Sequence, residues 1–367
     1  METVHLNLKK AQDNSYDILI GSGVLSKIPT ILKKKRLANR YLIITDNNIR
    51  KLFGNKLLKD LRNKKLNVDI ISFKAGEQSK NISTYNQLIE SAHKLELDRD
   101  SVIIALGGGV VGDIAGFVAA TYMRGINYIQ IPTSLLAQVD SSIGGKVAID
   151  LKQGKNSCGA FYQPKAVYID ISLLKNLPKK ELLNGLAEIV KHAIIRDKQL
   201  FGFIEKNIDK ILNKDEKTLT KLVKRNCQIK AKIVQEDERE KNLRKIVNYG
   251  HTIGHALETL THYKKYSHGQ AISIGMIVES IISNKLGWLS KKELERQINL
   301  FEKLGLQTKM PRIQPNKIIN ELKKDKKSVL GIPQFTLPNK IGTMKTIDKK
   351  YGLTIDKKVI ISALKES

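Results

Sequence analysis

Residues 101–120 read SVIIALGGGVVGDIAGFVAA: a β-branched apolar run, then Gly107, Gly108, Gly109 and Gly112, then apolar residues at helical spacing. A short run with no polar alternation is what a strand buried on both faces requires. The glycines let the backbone turn sharply and approach a ligand, and the following helix offers its positive N-terminus to a pyrophosphate. The pattern satisfies G-x-G-x-x-G between strand and helix. A ribose-binding acid should follow about 20 residues later, yet INYIQIPTS (126–134) holds none. Asp46 closes an earlier run, YLIITD, and offers that carboxylate instead. This predicts a dinucleotide site assembled in a different chain order; the alternative is a strand–helix turn without a ligand.

Outward from this turn, the first half alternates strand-like and helix-like segments. Strands are expected at 41–45, 68–73, 101–106, 128–132 and 166–170, with helical spacing in TYNQLIESAHKLELD and DIAGFVAATYM between them. That alternation predicts a parallel α/β sheet. After Pro178 the texture becomes helical, as in KKELLNGLAEIVKHAIIRD, KTLTKLVKRNCQIKAKIVQED and KKELERQINLFEKLG, where apolar residues recur at three and four positions. We therefore expect an α/β domain over 1–177, a helical domain over 178–367, and a ligand cleft between them.

The bulk numbers narrow the class. At 367 residues and 41% hydrophobic, the chain can support two cores. Its apolar runs stop short of the ~18 residues that span a bilayer, and METVHLNLKKAQD lacks a basic-then-apolar leader. Cys158 and Cys227 are the only cysteines, which suits a reducing cytoplasm. The net charge of +28 raises the question of nucleic acid. The lysines are dispersed, however, with little aromatic interleaving, so neither nucleic acid nor membrane is expected as a partner. An anionic substrate still benefits from the field.

Two further stretches carry chemistry. The segment from Ile131 to Pro164 sets Asp140, Lys146, Lys155 and Asn156 among glycines, a pattern suited to phosphate or polyol recognition on a loop. NYGHTIGHALE (248–258) places His251 and His255 four apart, on one helix face and within reach of one metal. His268 in YSHGQAISIGM offers a third imidazole, and Glu188 interrupts the apolar LAEIV, where a carboxylate is costly unless paired or coordinated. Two imidazoles and one carboxylate suit Zn²⁺ with an open position. His5, His93 and His262 read as ordinary core or surface residues, and so does His192, despite lying four residues from Glu188.

Taken together, GEQSK (76–80), LGGGVVGDIAGFVAATYMRG (106–125), IPTSLLAQVDSSIGGKVAID (131–150), GKNSCGAFYQP (154–164), NGLAEIVKHA (184–193), NYGHTIGHALE and HGQAISIGM resemble the 3-dehydroquinate synthase family of sugar phosphate cyclases. The resemblance covers nearly the whole chain. It departs mildly at Ala75, Ser134 and Val147, none of them a charged position of the site. It implies a Rossmann-like first domain, a helical second domain, NAD⁺ in the cleft, Zn²⁺ or Co²⁺, and a homodimer. It also revises the helix-face reading. The ligands it implies are Glu188, His251 and His268, with His255 turned to the substrate phosphate. Asp46, Glu77, Gln78 and Lys80 would lie near the NAD ribose. Gly109, Val110, Val111, Gly112 and Asp113 would carry the pyrophosphate. Thr133, Ser134, Lys146, Lys155, Leu173, Leu174, Lys175 and Asn176 would complete that pocket. Lys146, Asn156 and His255 would bind phosphate, Lys230, Arg244 and Asn248 a carboxylate, and Asp140 and Lys191 hydroxyls. Arg124 would reach the phosphate across the dimer, and one of Lys326 and Lys327 resembles a further phosphate contact.

The implied activity turns a heptulosonate phosphate into a carbocycle by transient oxidation, phosphate elimination, re-reduction and aldol closure. The rivals are an inosose- or valiolone-forming cyclase, a metal-dependent polyol dehydrogenase and, from another class, a nucleic-acid-binding protein.

Overall fold

Six parallel strands form the main sheet of the computed structural model, which describes residues 13–152, 154–323 and 332–367. They are β1 (Asp17–Gly21), β2 (Tyr41–Asp46), β3 (Val68–Phe73), β4 (Val102–Gly107), β5 (Asn127–Pro132) and, after a hairpin, β8 (Ala166–Asp170). Their spatial order is β1-β8-β5-β4-β2-β3. The five expected strands are present; β1 was not foreseen. Along β2 and β4 successive residues alternate between two hydrophobic clusters. Leu42, Ile44, Ile103 and Ala105 enter one; Tyr41, Ile43, Ile104 and Leu106 enter the other. Both faces are covered, which is why these strands lack polar alternation.

The order reverses between β2 and β4. Chain growth runs from β2 out to β3, then returns to place β4 on the other side of β2. Ligands of open α/β sheets bind at such a switch point, beyond the carboxyl ends of the strands. Asp46 ends β2 and the glycine turn follows β4, so the two lie at the ends of neighbouring strands.

The segment from Ile131 to Pro164 is not the open loop its glycines suggest. Ala137–Ser141 coil as a helical turn, and β6 (Lys146–Leu151) pairs antiparallel with β7 (Gly154–Phe161). The hairpin packs on the helix Gly109–Thr121, where a Cβ on Gly116 would stand 2.4 Å from Val147 Cγ1. The sequence signal was hidden because the exposed strand β7 carries small and polar residues.

Among the described residues from Lys179 onward helices predominate, and the only named strands are the ribbon β9 (Pro338–Lys340) with β10 (Thr343–Met344). The helix Lys179–Arg196 is buried nearly all round and forms the middle of this half. Its core merges with Val167 and Ile169 of β8 and with Leu135 and Val139, so the helices close directly over one side of the sheet. No helix among the described residues is long and apolar enough to cross a membrane.

Candidate active site

Glu188 sits on the central helix at 1% exposure. His251 opens the helix His251–Leu260, and His268 opens the helix His268–Lys285 behind a Ser267–Gln270 capping box. Both imidazoles therefore occupy the first position of a helix, and both turn to one carboxylate oxygen. His251 Nε2 lies 3.5 Å and His268 Nε2 3.4 Å from Glu188 Oε1. All three ligand atoms fall within 4.8 Å of one another. His251 Nδ1 faces the Tyr249 carbonyl at 3.2 Å, and His268 Nδ1 faces Glu258 Oε2 at 3.4 Å. Both Nδ1 partners are acceptors, which suits the tautomer that presents Nε2 to Glu188 and to a cation. The donor set and its orientation fit a zinc- or cobalt-like cation with a position open to substrate. His255, 5.3 Å from His251 between ring centroids, lies beside the triangle but belongs to a different potential group, with Glu258 and His268.

Charge fixes the protonation of these groups. Burial pushes Glu188 up, but Lys191 beside it and hydrogen bonds from both histidines hold it well below the usual carboxylate range. Burial pulls His268 down, yet its bonds to Glu188 and Glu258 lift it to about 9. A cation coordinated by this nitrogen would have to displace that proton. Burial raises Glu258, and His268, His255 and Lys155 outweigh it, leaving it at about 2.

Next to the triangle lies a second buried group. Lys230 Nζ donates to Asp140 Oδ1 at 2.6 Å, and His192 Nε2 stands 3.5 Å from the same oxygen. Burial raises Asp140, but Lys230 prevails and keeps it ionised. Burial also lowers Lys230, partly offset by Asp140. His192 is held by Asn226 (2.9 Å), whose amide in turn donates to the Val139 carbonyl. His192 Nε2 has no hydrogen-bond partner of its own, and with Asp140 and Glu188 the residue forms another potential ligand group. Arg244 is 1% exposed and donates to the carbonyls of Glu238 and Gly144 (3.1 Å to the latter), with no acidic side chain in ion-pair range among the described residues. Asn248 donates to Glu240 at 2.5 Å, and Lys146 pairs with the same carboxylate.

On the sheet side, Lys80 is buried between Asp113 (2.5 Å) and the side-chain Oδ1 of Asn156. Lys155 links the halves, 3.5 Å from Glu77, 3.7 Å from Glu258 and 4.3 Å from the centre of the Tyr263 ring. Asn156, expected at phosphate, thus also touches the group expected at the ribose. Asp46 accepts from the amides of Asn48 and Ile49 at 2.9 and 3.0 Å, capping the chain beyond β2. Gly108 gives the helix Gly109–Thr121 no side-chain cap, and a Cβ on Gly112 would stand 2.7 Å from Gln130 Oε1. The close-packed turn with open first-turn amides fits a pyrophosphate. Thr133 donates its amide to Gly107, Ser134 flanks Gly108, and Gln78 is exposed with its carbonyl on Asn81.

Three residues of the expected dinucleotide pocket are buried. Val111, Leu173 and Leu174 are 1%, 7% and 0% exposed and turn their side chains inward, so only their backbone is available to a ligand. Lys175 and Asn176 are exposed on the same 3₁₀ turn. Arg124 stands exposed after the helix Gly109–Thr121, with no ion pair among the described residues. Lys326, Lys327 and His5 lie outside the described residues.

The sequence reading missed Glu258 and Glu240. Glu258 was legible: it follows His251 by seven residues, two helical turns along the same face. Glu240 precedes its partner Asn248 in an irregular stretch and carries no such signal.

Comparison with known proteins places this arrangement. The profile described as 3-dehydroquinate synthase N-terminal matches residues 70–184, and that described as 3-dehydroquinate synthase C-terminal matches 185–328. The 3-dehydroquinate synthase of Caldanaerobacter subterraneus subsp. tengcongensis is 48% identical over 350 residues, 95% of this chain and 98% of that one. The chain belongs to the 3-dehydroquinate synthase family. Among solved structures it is similar to 2-epi-5-epi-valiolone synthase from Streptomyces hygroscopicus subsp. jinggangensis, with NAD⁺ and Zn²⁺ bound (TM-score 0.89, 26% identity, covering 98% of this chain and 99% of that one). It is also similar to 2-deoxy-scyllo-inosose synthase complexed with carbaglucose-6-phosphate, NAD⁺ and Co²⁺ (TM-score 0.87, 28% identity, 95% and 96%). The likeness extends over both halves of the chain.

Proposed function

We propose that the chain is the lyase that converts 3-deoxy-D-arabino-heptulosonate 7-phosphate to 3-dehydroquinate and inorganic phosphate, a step toward aromatic amino acids. The observation that carries this reading is the convergence of Glu188, His251 and His268 within a chain 48% identical to a 3-dehydroquinate synthase. When bound, NAD⁺ supplies reversible oxidation of one substrate alcohol, which acidifies the neighbouring C–H, and the divalent cation supplies Lewis acidity toward that alcohol. Glu188, His251 and His268 would hold the cation. Asp46, Glu77, Lys80, the turn Gly109–Asp113 and the segment Leu173–Asn176 would hold the dinucleotide.

The chain's own part is binding and orientation of a polyanion. Lys146, Asn156 and His255 receive the phosphate, which departs into a positively charged surround. Asp140 and Lys191 hold hydroxyls. Lys230, Arg244 and Asn248 receive the carboxylate. Arg244 separates this reading from the inosose and valiolone alternatives. A buried guanidinium bonded only to carbonyls favours a counter-anion, and a sugar phosphate without a carboxylate offers none at this end. We further propose a cytoplasmic homodimer in which Arg124 serves the partner's phosphate site, and a division of labour at 177/178. On this reading the charge of +28 serves anionic substrates and not nucleic acid.

Incubation of the protein with NAD⁺, Zn²⁺ and the heptulosonate phosphate should release phosphate and dehydroquinate in equal amounts without net NADH. Turnover of a carboxylate-free sugar phosphate in its place would favour the other cyclases. Accumulating NADH would favour a polyol dehydrogenase.

A further inference from the structure

We infer that Glu279 is a positioning residue for the cation site, aiming His251 through the backbone of Gly250; the inference rests on reading Glu188, His251 and His268 as the ligands. Glu279 lies within the helix His268–Lys285 at 0% exposure, surrounded by apolar positions. A carboxylate there must be engaged by polar partners. Its Oε2 accepts the Gly250 amide at 2.8 Å, one residue before His251.

The surrounding packing leaves that amide little freedom. Gly250 has φ +80°, and a Cβ on it would lie 2.4 Å from Met276 Cγ. A Cβ on Gly275 would lie 2.0 Å from the Gly250 carbonyl oxygen. The two ligand-bearing helices therefore meet backbone to backbone. Tyr249 Oη stands 2.9 Å from the Met276 carbonyl, 2.7 Å from Ser280 Oγ and 3.2 Å from Gln297 Oε1. The carbonyl of the same tyrosine faces His251 Nδ1. The segment Tyr249–Gly250–His251 is thus pinned on both sides of the glycine by the helix that begins with the other ligand, His268. Glu279 supplies the side-chain acceptor for the Gly250 amide in that clamp, which packing alone cannot replace.

A purely structural role would lower stability and leave metal affinity alone. The test measures Zn²⁺ affinity by competition with a chromophoric chelator, Co²⁺ visible spectra, and melting in EDTA. The proteins compared are the wild type, Glu279→Asp, Glu279→Gln and His251→Ala. Glu279→Asp keeps the charge but withdraws the oxygen by one methylene; Glu279→Gln keeps an acceptor in place. Glu279→Asp should weaken Zn²⁺ roughly 10- to 100-fold and move the Co²⁺ bands, while Glu279→Gln stays within about threefold of wild type. Equal affinity and spectra in Glu279→Asp and wild type would overturn the inference, whatever the melts show. Undiminished Zn²⁺ binding by His251→Ala would instead overturn the ligand assignment beneath it.

Discussion

Glu258 holds His268 from behind: the carboxylate stands 3.4 Å from Nδ1 on the side of the ring opposite Glu188. Glu258→Ala should therefore leave all three ligands in place and still weaken the cation roughly 10- to 100-fold. The check is chelator competition at fixed pH. An unchanged constant would make Glu258 a partner of Lys155 alone.

Arg244 should discriminate by carboxylate. Truncating one partner of a buried charge pair costs about 2–5 kcal/mol, so Arg244→Met should lower kcat/KM for the heptulosonate phosphate by roughly 10²- to 10³-fold. Inhibition by inorganic phosphate should change little, since Lys146 and His255 remain. A parallel loss of phosphate inhibition would move Arg244 to the other end of the substrate.

Arg124 allows complementation. Arg124→Ala and His268→Ala should each be nearly inactive alone. Mixed and re-equilibrated, half of the dimers are hybrids with one intact site, restoring on the order of a quarter of wild-type activity. No recovery in a mixture shown to exchange subunits would remove Arg124 from the partner's site.

His192 predicts an acid limit to stability. Burial, with Lys191 and Lys230 near, lowers its pKa from 6.5 to about 4. The unfolded chain binds this proton more readily than the fold does. The contribution is thus complete above about 6.5 and is lost as pH falls toward 4. Melting temperatures of metal-stripped protein should drop over that window, and His192→Gln should flatten the slope. An identical slope in the variant would assign the acid sensitivity to other groups.

Much of this was legible because chemistry and spacing coincided. The run 101–107 had to be a buried strand, and Glu188 stood out as an acid among apolar neighbours. What escaped reading lay in long-range pairing. β1 is a short edge strand whose partner lies far along the chain, and the hairpin of β6 and β7 hides its period beneath glycines. The inward turn of Val111 and Leu174 depends on which face the sheet covers. Glu279 looked like any helical glutamate, because its partner is a backbone amide that no pattern marks.

The pairing of β1 with β8 sets a timetable for synthesis. Asp17 lies opposite Ala166, so β1, the first of the described strands, waits for roughly 150 further residues before its neighbour exists. Until then its apolar side chains stay open to solvent or to chaperones, and the sheet half closes only as the helical half begins to emerge.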